Sequence, residues 1–188
     1  PVREKGKKRY EVLLNAAMSL LADYGLRGLK HRALADRAGV PLSATTYYFS
    51  DLEQLKRKTF EFFHLTYGAH FLKRLEHDLR STVQILIAFT DKETRSDTQK
   101  ELEHTQQIAL TSSLWAKKLT SAQIDCYVKF QEDFPAFGRI YRLMCADSQW
   151  DPVIRQQVST LRDNIQSLYA SICDCLCVEE PEHAGLQW

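Results

Sequence analysis

The sequence predicts an all-α protein in which a small N-terminal three-helix domain, residues 1–50, is followed by a larger helical domain, residues 51–188. Two observations support this fold class. Apolar residues recur at helical spacing along the whole chain, and no segment combines two-residue alternation with β-branched residues. In addition, Gly25, Gly39 and Pro41 divide the first fifty residues into three short pieces.

Each of the three N-terminal helices has its own stop or start signal. The first helix should end at Gly25 and the second, around Leu34, at Gly39, because glycine readily adopts the left-handed conformation that ends a helix. Pro41 excludes the residue before it from a helix, and the run that follows is long enough for about two turns. The apolar stripe of the first helix consists of Leu13, Ala16, Ala17, Leu20, Leu21 and Tyr24.

The larger domain begins with a capping signal. Ser50 and Glu53 form a capping box, S-D-L-E, for a helix that we expect to extend to about Leu79. Residues 92–100 are polar and predict a loop, and a further helix is expected over residues 99–118. The sequence therefore predicts a series of separate helices joined by short polar connections.

Capping residues and prolines also mark the later helices. Thr120 or Ser121 is expected to cap a helix, and Pro135 and Pro152 suit first-turn positions, the latter with Asp151 as a capping acid. The last helix has apolar residues at alternating intervals of four and three. They are Ile154, Val158, Leu161, Ile165, Leu168, Ile172 and Cys175. This heptad pattern predicts packing along another helix, either inside the protein or across a dimer interface.

Positive charge is concentrated at the N-terminal end. Residues 1–50 contain nine Lys or Arg against four Asp or Glu, a net charge of +5, whereas the remainder carries −4. A basic module suits phosphate binding, although a solvated charged tail is an equally simple interpretation. No uncharged apolar run reaches the roughly 18 residues of a membrane helix, and no secretion signal is visible. We therefore expect a cytoplasmic protein, with its five cysteines reduced.

The order of features over residues 13–55 is distinctive. An amphipathic helix, a glycine, a short helix, Ala-Gly-Val, a second short helix and an aromatic residue follow one another without a gap. The positions that carry this pattern are Ala16, Ala17, Gly25, Leu34, Ala35, Ala38, Gly39, Val40, Phe49, Glu53 and Leu55. The stretch resembles the DNA-binding domain of the TetR (tetracycline-repressor) family of bacterial regulators, which implies a helix-turn-helix at this end of the chain.

The resemblance implies a set of DNA contacts on the second and third helices. Those positions are His31, Arg32, Leu42, Ser43, Ala44, Thr46, Tyr47 and Tyr48. The residues themselves fit this role, because Arg32 can form a bidentate contact with guanine and the third helix carries short or aromatic groups suited to a groove. Three positions depart from the family pattern: Lys30 replaces the usual Thr, Thr46 the usual Tyr, and Leu52 the usual Lys.

The same resemblance implies that the larger domain binds a small-molecule effector and forms a homodimer, with ligand binding releasing a repressor from its double-stranded DNA operator by a shift of population. Candidate pocket residues are Phe63, Tyr67, Phe71, Trp115, Phe130 and Tyr141. Each of these aromatic residues could equally be part of the hydrophobic core. Family members commonly continue into a further helix pair, so this C-terminus is either abbreviated or incomplete.

Other function classes have weaker support. The sequence has no phosphate-binding glycine loop, no H-E-x-x-H and no nucleophile elbow, so we expect neither an enzyme nor a bound cofactor. Cys173, Cys175 and Cys177 suggest thiol or metal sensing, but on a continuous helix they cannot all point at one ion, so no metal site is predicted. The remaining alternative is a helical interaction protein with a vestigial helix-turn-helix.

Overall fold

The computed structural model describes residues 2–93 and 101–176, with side chains described for residues 4–88 and 113–172. These residues form helices joined by short turns, and within the described ranges no strand occurs, so the all-α prediction is confirmed. The helices are α1 (Val2–Tyr24), α2 (His31–Ala38), α3 (Leu42–Tyr48), α4 (Leu52–Phe63), α5 (Ala69–Glu93), α6 (Glu101–Asp133), α7 (Phe137–Asp147) and α8 (Pro152–Leu176). A 3₁₀ turn covers Leu26–Gly28, and a π-helical turn covers His64–Gly68.

The three N-terminal helices end as the sequence predicts. Gly25 and Gly39 have φ angles of 65° and 64°, in the left-handed region where a side chain would be strained. Pro41 precedes α3, which is seven residues long. The three helices pack through side chains that are almost fully buried, namely Leu13, Leu20, Leu34 and Phe49.

Two compact units are present in the chain. The first contains residues up to His70 together with Gln131–Arg162, and the second contains Phe71–Phe130 with α8 from Asp163 onward. The first unit therefore includes α1–α4, the π-helical turn, α7 and the start of α8. Since this division is one of packing, the functional boundary after residue 50 stays a prediction.

Two predictions about the start and extent of the fourth helix were wrong. Its cap is Asp51 rather than Ser50: the Asp51 carboxylate accepts a hydrogen bond from the Gln54 N–H at 2.7 Å, and the Ser50 N–H donates to Gln54 Oε1 at 2.7 Å. The single helix expected to reach Leu79 is instead divided into α4, the π-helical turn and α5, and α5 continues past Leu79 to Glu93. Residues 92 and 93, predicted as loop, are helical, while residues 94–100 lie outside the described range.

The predicted break near residue 120 was also wrong. Helix α6 continues from Glu101 to Asp133, and the Thr120 hydroxyl donates to the Ala116 carbonyl at 2.8 Å instead of capping a new helix. A threonine can satisfy its hydroxyl within a helix in this way, so its capping potential goes unused. Pro135 lies in the turn before α7 rather than in its first helical turn.

The last helix agrees with its prediction. Helix α8 begins at Pro152, with the Asp151 side chain accepting from the Val153 N–H at 3.0 Å. Three of its heptad positions, Ile154, Leu161 and Ile172, are buried within the chain. The heptad pattern is thus at least in part an intramolecular core face. None of the helices in the described part of the chain is long and apolar enough to cross a membrane.

Candidate nucleic-acid interface

A tight turn between α2 and α3 sets the direction of the third helix. Gly39 is left-handed (φ 64°, ψ 36°), and the Val40 N–H donates to the Ala35 carbonyl at 3.0 Å, which closes the end of α2. Pro41 is extended, and the Ala44 N–H donates to its carbonyl at 2.9 Å at the start of α3. Two short helices joined by three residues form a helix-turn-helix.

Thr45 attaches the inner side of α3 to α2. It is fully buried, and its hydroxyl donates to the Leu42 carbonyl at 2.8 Å. His31 Nδ1 lies 3.3 Å from the same hydroxyl oxygen, so with the Thr45 proton already used, the imidazole N–H is the donor. His31 was predicted to contact DNA. The structure places it half-buried at the first turn of α2, where it orients α3.

The outer side of α3 is exposed. Leu42 is 46% and Tyr47 82% exposed, and Ser43 and Thr46 also face solvent. The Thr46 hydroxyl donates to the Ser43 carbonyl at 3.2 Å, so it leaves an acceptor lone pair on the surface. Ala44 is half-buried. The polar and aromatic groups predicted for base and backbone contacts are therefore available on one short helix.

Arg32 is exposed in the first turn of α2. Among the described side chains no carboxylate forms an ion pair with it, in contrast to Arg37, which binds Asp23. Its neighbour Lys30, immediately before the helix, is exposed as well. These two cations can approach a phosphate or a base edge without first breaking an internal contact.

Tyr47 and Tyr48 have different surroundings. Tyr48 is half-buried, its hydroxyl donates to the Gly6 carbonyl at 3.3 Å, and its ring lies 5.7 Å from that of Tyr10. Burial raises the pKa of Tyr10, which also packs 5.7 Å from Phe49. Tyr48 thus connects α3 to the N-terminal part of α1, whereas Tyr47 is the aromatic residue of α3 that is open to a ligand.

Sequence reasoning missed Arg37. Its guanidinium hydrogen-bonds to Ser19, lies 2.8 Å from the Asp23 carboxylate, and is stacked 5.9 Å from the centre of the Tyr24 ring. It therefore connects α2 to α1. No local pattern marks this residue, because its partners lie 13 to 18 positions earlier in the chain and are not evident from spacing.

Two ion pairs connect α4 to the last residue of α7 and to the residue that precedes α8. Arg57 Nε lies 2.7 Å from the Asp151 carboxylate, and Lys56 Nζ lies 2.9 Å from Asp147 and 2.6 Å from Glu53. Burial alone would lower the pKa of Lys56, but its hydrogen bonds to the two carboxylates raise it. At the start of the helix, the Gln54 N–H holds the pKa of Asp51 below its usual value. Helix α4, which follows the helix-turn-helix, is thereby held at both its cap and its second turn.

The first unit also contains a cleft of about 270 Å³. Its walls come from α1, the end of α4 with the π-helical turn, and the segment around the start of α7. Its lining residues are Asn15, Met18, Ser19, Phe63, Tyr67, Asp133, Phe134, Pro135, Ala136, Phe137 and Ile140. Of the six residues predicted for an effector pocket, Phe63 and Tyr67 line this cleft.

The other four predicted pocket residues pack elsewhere. Tyr141 stacks on Phe137 in the first unit, with ring centres 6.2 Å apart. In the second unit, Phe71 and Phe130 form an edge-on pair at 5.3 Å, and Trp115 is 9% exposed. Their assignment to an effector pocket stays a prediction.

The three cysteines considered for thiol or metal sensing fall at the limit of the described residues. The side chains of Cys173 and Cys175, and the whole of Cys177, lie outside the described residues. Of the others, Cys126 is buried, which raises its pKa to about 11, and burial also raises the pKa of Cys145. Within the described ranges, no group of three or more His, Cys, Asp or Glu residues has the arrangement of a metal site.

Comparison with known proteins gives structural matches only. No family profile and no curated protein sequence matches the chain. Among solved structures, it resembles SCO7518 of Streptomyces coelicolor A3(2), a protein assigned as a transcriptional regulator, with a TM-score of 0.57 and 20% identity over 87% of this chain and 75% of that one. It also resembles the multidrug-binding protein EbrR, solved in complex with imidazole, with a TM-score of 0.48 and 20% identity over 87% and 68% of the two chains. The first likeness establishes a shared fold: this chain has the helical architecture of a solved protein assigned as a transcriptional regulator.

Proposed function

We propose that the protein is a sequence-specific DNA-binding transcriptional regulator of the TetR type, which binds its operator as a homodimer and is released by a small-molecule effector. The observation that carries this proposal is the helix-turn-helix of α2 and α3, in which α3 is held by Thr45 on its inner side and exposes polar and aromatic groups on its outer side. Such a helix is suited to the major groove.

The predicted contact residues differ in charge and exposure, and we assign them different roles on that basis. The net charge of +5 on residues 1–50 favours phosphate binding, with Lys30 and Arg32 exposed next to α2. Ser43 and Tyr47 are positioned for direct contact, whereas the half-buried Tyr48 and His31 act by orienting α3. Two such domains in a symmetric dimer would bind two half-sites and multiply the specificity of one.

The decisive experiment is DNA selection followed by mutation. Duplexes enriched from a random library by the purified protein are titrated by fluorescence anisotropy at several salt concentrations. Arg32→Ala should weaken binding by about 30-fold or more, since loss of a specific contact costs about 1–3 kcal/mol in each of two half-sites. Tyr47→Ala should likewise weaken specific binding, while thermal stability changes little in either variant because both side chains are exposed.

Arg80→Ala provides the control, since Arg80 is an exposed arginine on α5 that pairs with Glu76 rather than lying in the helix-turn-helix. It should bind DNA like the unmodified protein. Unchanged DNA affinity in both Arg32→Ala and Tyr47→Ala would refute the contact assignment. Failure to enrich any duplex, or affinity that is independent of salt, would refute the DNA-binding function itself.

The cleft in the first unit is the site that we favour for the effector. The rings of Phe63, Tyr67, Phe134 and Phe137 contribute to its walls, which favours a small apolar molecule containing a ring. Its wall on α1 includes Ser19, which accepts a hydrogen bond from Arg37 of α2. A ligand there would contact the helix that holds the helix-turn-helix, and could bias the DNA-binding conformation.

Filling the cleft tests this location. Ala136→Phe places a ring in a half-exposed wall position, and Gln149→Phe places one at an exposed position outside the cleft as a control. A library of single-ring and two-ring compounds is screened for release of the selected DNA. Release should be lost in Ala136→Phe and retained in Gln149→Phe, with DNA affinity unchanged in both. An undiminished response in Ala136→Phe would exclude the cleft.

A further inference from the structure

The basic residues at the start of the chain belong to a helix that contacts α3. Helix α1 begins at Val2, and its first turns carry four exposed cations, which are Lys5, Lys7, Lys8 and Arg9. A charged tail without contacts to the rest of the protein would leave such cations with no fixed position relative to the helix-turn-helix. Here their position is set by their neighbours Gly6 and Tyr10, which contact α3.

Tyr48 connects this part of α1 to the surface of α3 that we assign to DNA. Its hydroxyl donates to the Gly6 carbonyl at 3.3 Å, and its ring lies 5.7 Å from that of Tyr10. Tyr48 also packs edge-on against the exposed ring of Tyr47, with ring centres 5.1 Å apart. The ring of Tyr48 therefore lies between the basic end of α1 and the exposed aromatic residue of α3.

The helical repeat places two of the four cations at the edges of the face of α1 that contacts Tyr48. Gly6 and Tyr10 are four residues apart and define this face. With 3.6 residues per turn, Lys7 and Arg9 lie about 80° from its middle, one on each side, whereas Lys8 lies about 180° away. Lys8 Nζ is also 3.9 Å from the Glu4 carboxylate, while among the described side chains no carboxylate forms an ion pair with Lys7 or Arg9.

We propose that Lys7 and Arg9 bind DNA phosphates that border the groove occupied by α3. The inference rests on the proposed function and adds a second element, α1, to the DNA interface. The major groove of B-DNA is about 12 Å wide, so a helix that lies in it has phosphates close to both sides. Helix α1 adjoins the end of α3 that carries Tyr47 and Tyr48, so its cations lie beside the DNA backbone. Such contacts add affinity and fix the register of the protein without reading the sequence.

The salt dependence of binding tests this assignment, because each phosphate contact contributes about 0.9 to the slope of log affinity against log salt concentration. The unmodified protein, Lys7→Ala, Arg9→Ala and the double variant are titrated by fluorescence anisotropy. Two labelled duplexes are used, the one enriched by selection and one of equal length and unrelated sequence. For each chain in the complex, a single variant should lower the magnitude of the slope by about 0.9 and the double variant by about 1.8. At roughly 0.15 M salt, each lost contact should weaken binding of both duplexes about fivefold.

Lys8→Ala is the matched control, since it removes the same charge from the opposite side of the same helix and should leave the slope unchanged. Lys7→Arg should also bind like the unmodified protein, because arginine supplies the positive charge that a phosphate contact requires. Alanine favours a helix, so circular dichroism should show the same helix content in every variant.

The proposal is overturned if the double variant lowers the slope by less than about 0.9 for each chain. It is also overturned if Lys8→Ala has the same effect as Lys7→Ala, because net charge alone would then account for the loss. A loss of affinity confined to the enriched duplex would overturn it too, since the two side chains would then contact bases. Failure of the unmodified protein to bind either duplex would refute the DNA-binding function itself, whereas an unchanged slope in the double variant refutes only the contact by α1.

Discussion

Asp151 offers the sharpest test of how α4 is attached to the rest of the first unit. Its carboxylate is 4% exposed and has two roles: one oxygen lies 2.7 Å from Arg57 Nε, and the other accepts from the Val153 N–H at 3.0 Å as the cap of α8. Asp151→Asn keeps a capping group but removes the charge. Asp151→Ala removes both. The pair of variants therefore separates the ion pair from the cap.

The expected magnitudes follow from these contacts. A hydrogen bond to a charged group contributes about 1.5–3 kcal/mol, and since the Arg57 side chain is 45% exposed and can be rehydrated, we expect Asp151→Asn to cost about 1–2 kcal/mol. Loss of a cap costs about 1 kcal/mol more, so Asp151→Ala should cost about 2–3 kcal/mol. In a chain of this length each kcal/mol lowers Tm by roughly 2–4 °C.

The pH dependence gives a further check. Burial alone would raise the pKa of Asp151, but hydrogen bonds from Arg57 and the Val153 N–H lower it below its usual value. The ion pair's contribution is thus complete above the unfolded-state pKa of about 3.9 and is lost as the pH falls through the lower folded-state pKa. Urea unfolding of the three proteins between pH 3 and pH 7 should show Asp151→Asn approaching the unmodified protein only at the acid end. Equal stability at pH 7, or equal loss in both variants, would contradict this account.

Three further outcomes are expected. Tyr48→Phe should lower the free energy of unfolding by about 0.5–1 kcal/mol through loss of its hydrogen bond to Gly6, and Tyr47→Phe should not; equal losses in urea titrations would contradict the assignment. Burial lowers the pKa of His64, and among the described residues its buried Nδ1 has no hydrogen-bond partner. Because the unfolded chain then binds a proton more readily than the folded one, the free energy of unfolding should fall as the pH decreases below about 6.5. His64→Gln should reduce that pH dependence in thermal melts. Cys126, with its pKa raised by burial to about 11, should resist iodoacetamide at pH 8 until the protein unfolds, and peptide mass spectrometry showing rapid labelling of the native protein would contradict this.

Features encoded by neighbouring residues could be predicted from the sequence. Gly25 and Gly39 end helices because each can adopt positive φ, a property of glycine itself. The residues that cap helices were harder to predict from the sequence than the glycines that end them. Ser50 and Asp51 are adjacent and both suitable, and in the structure the Asp51 carboxylate accepts from the Gln54 N–H while the Ser50 hydroxyl donates to Asp51. Likewise, Thr120 could have capped a helix but sits within α6, because helices without a proline or glycine can continue wherever packing favours it.

What the sequence by itself determined is the helical class, the position of the helix-turn-helix and the concentration of positive charge near it, since periodicity, glycine placement and charge are readable along the chain. Only the tertiary structure decided which individual side chains are buried, exposed or paired. It buries Tyr48 against α1 and leaves Tyr47 exposed, turns His31 toward Thr45, and pairs Arg57 with Asp151, 94 positions away. The physical reason is that burial and pairing depend on neighbours contributed by distant parts of the chain. The spacing of residues within one segment does not identify those neighbours.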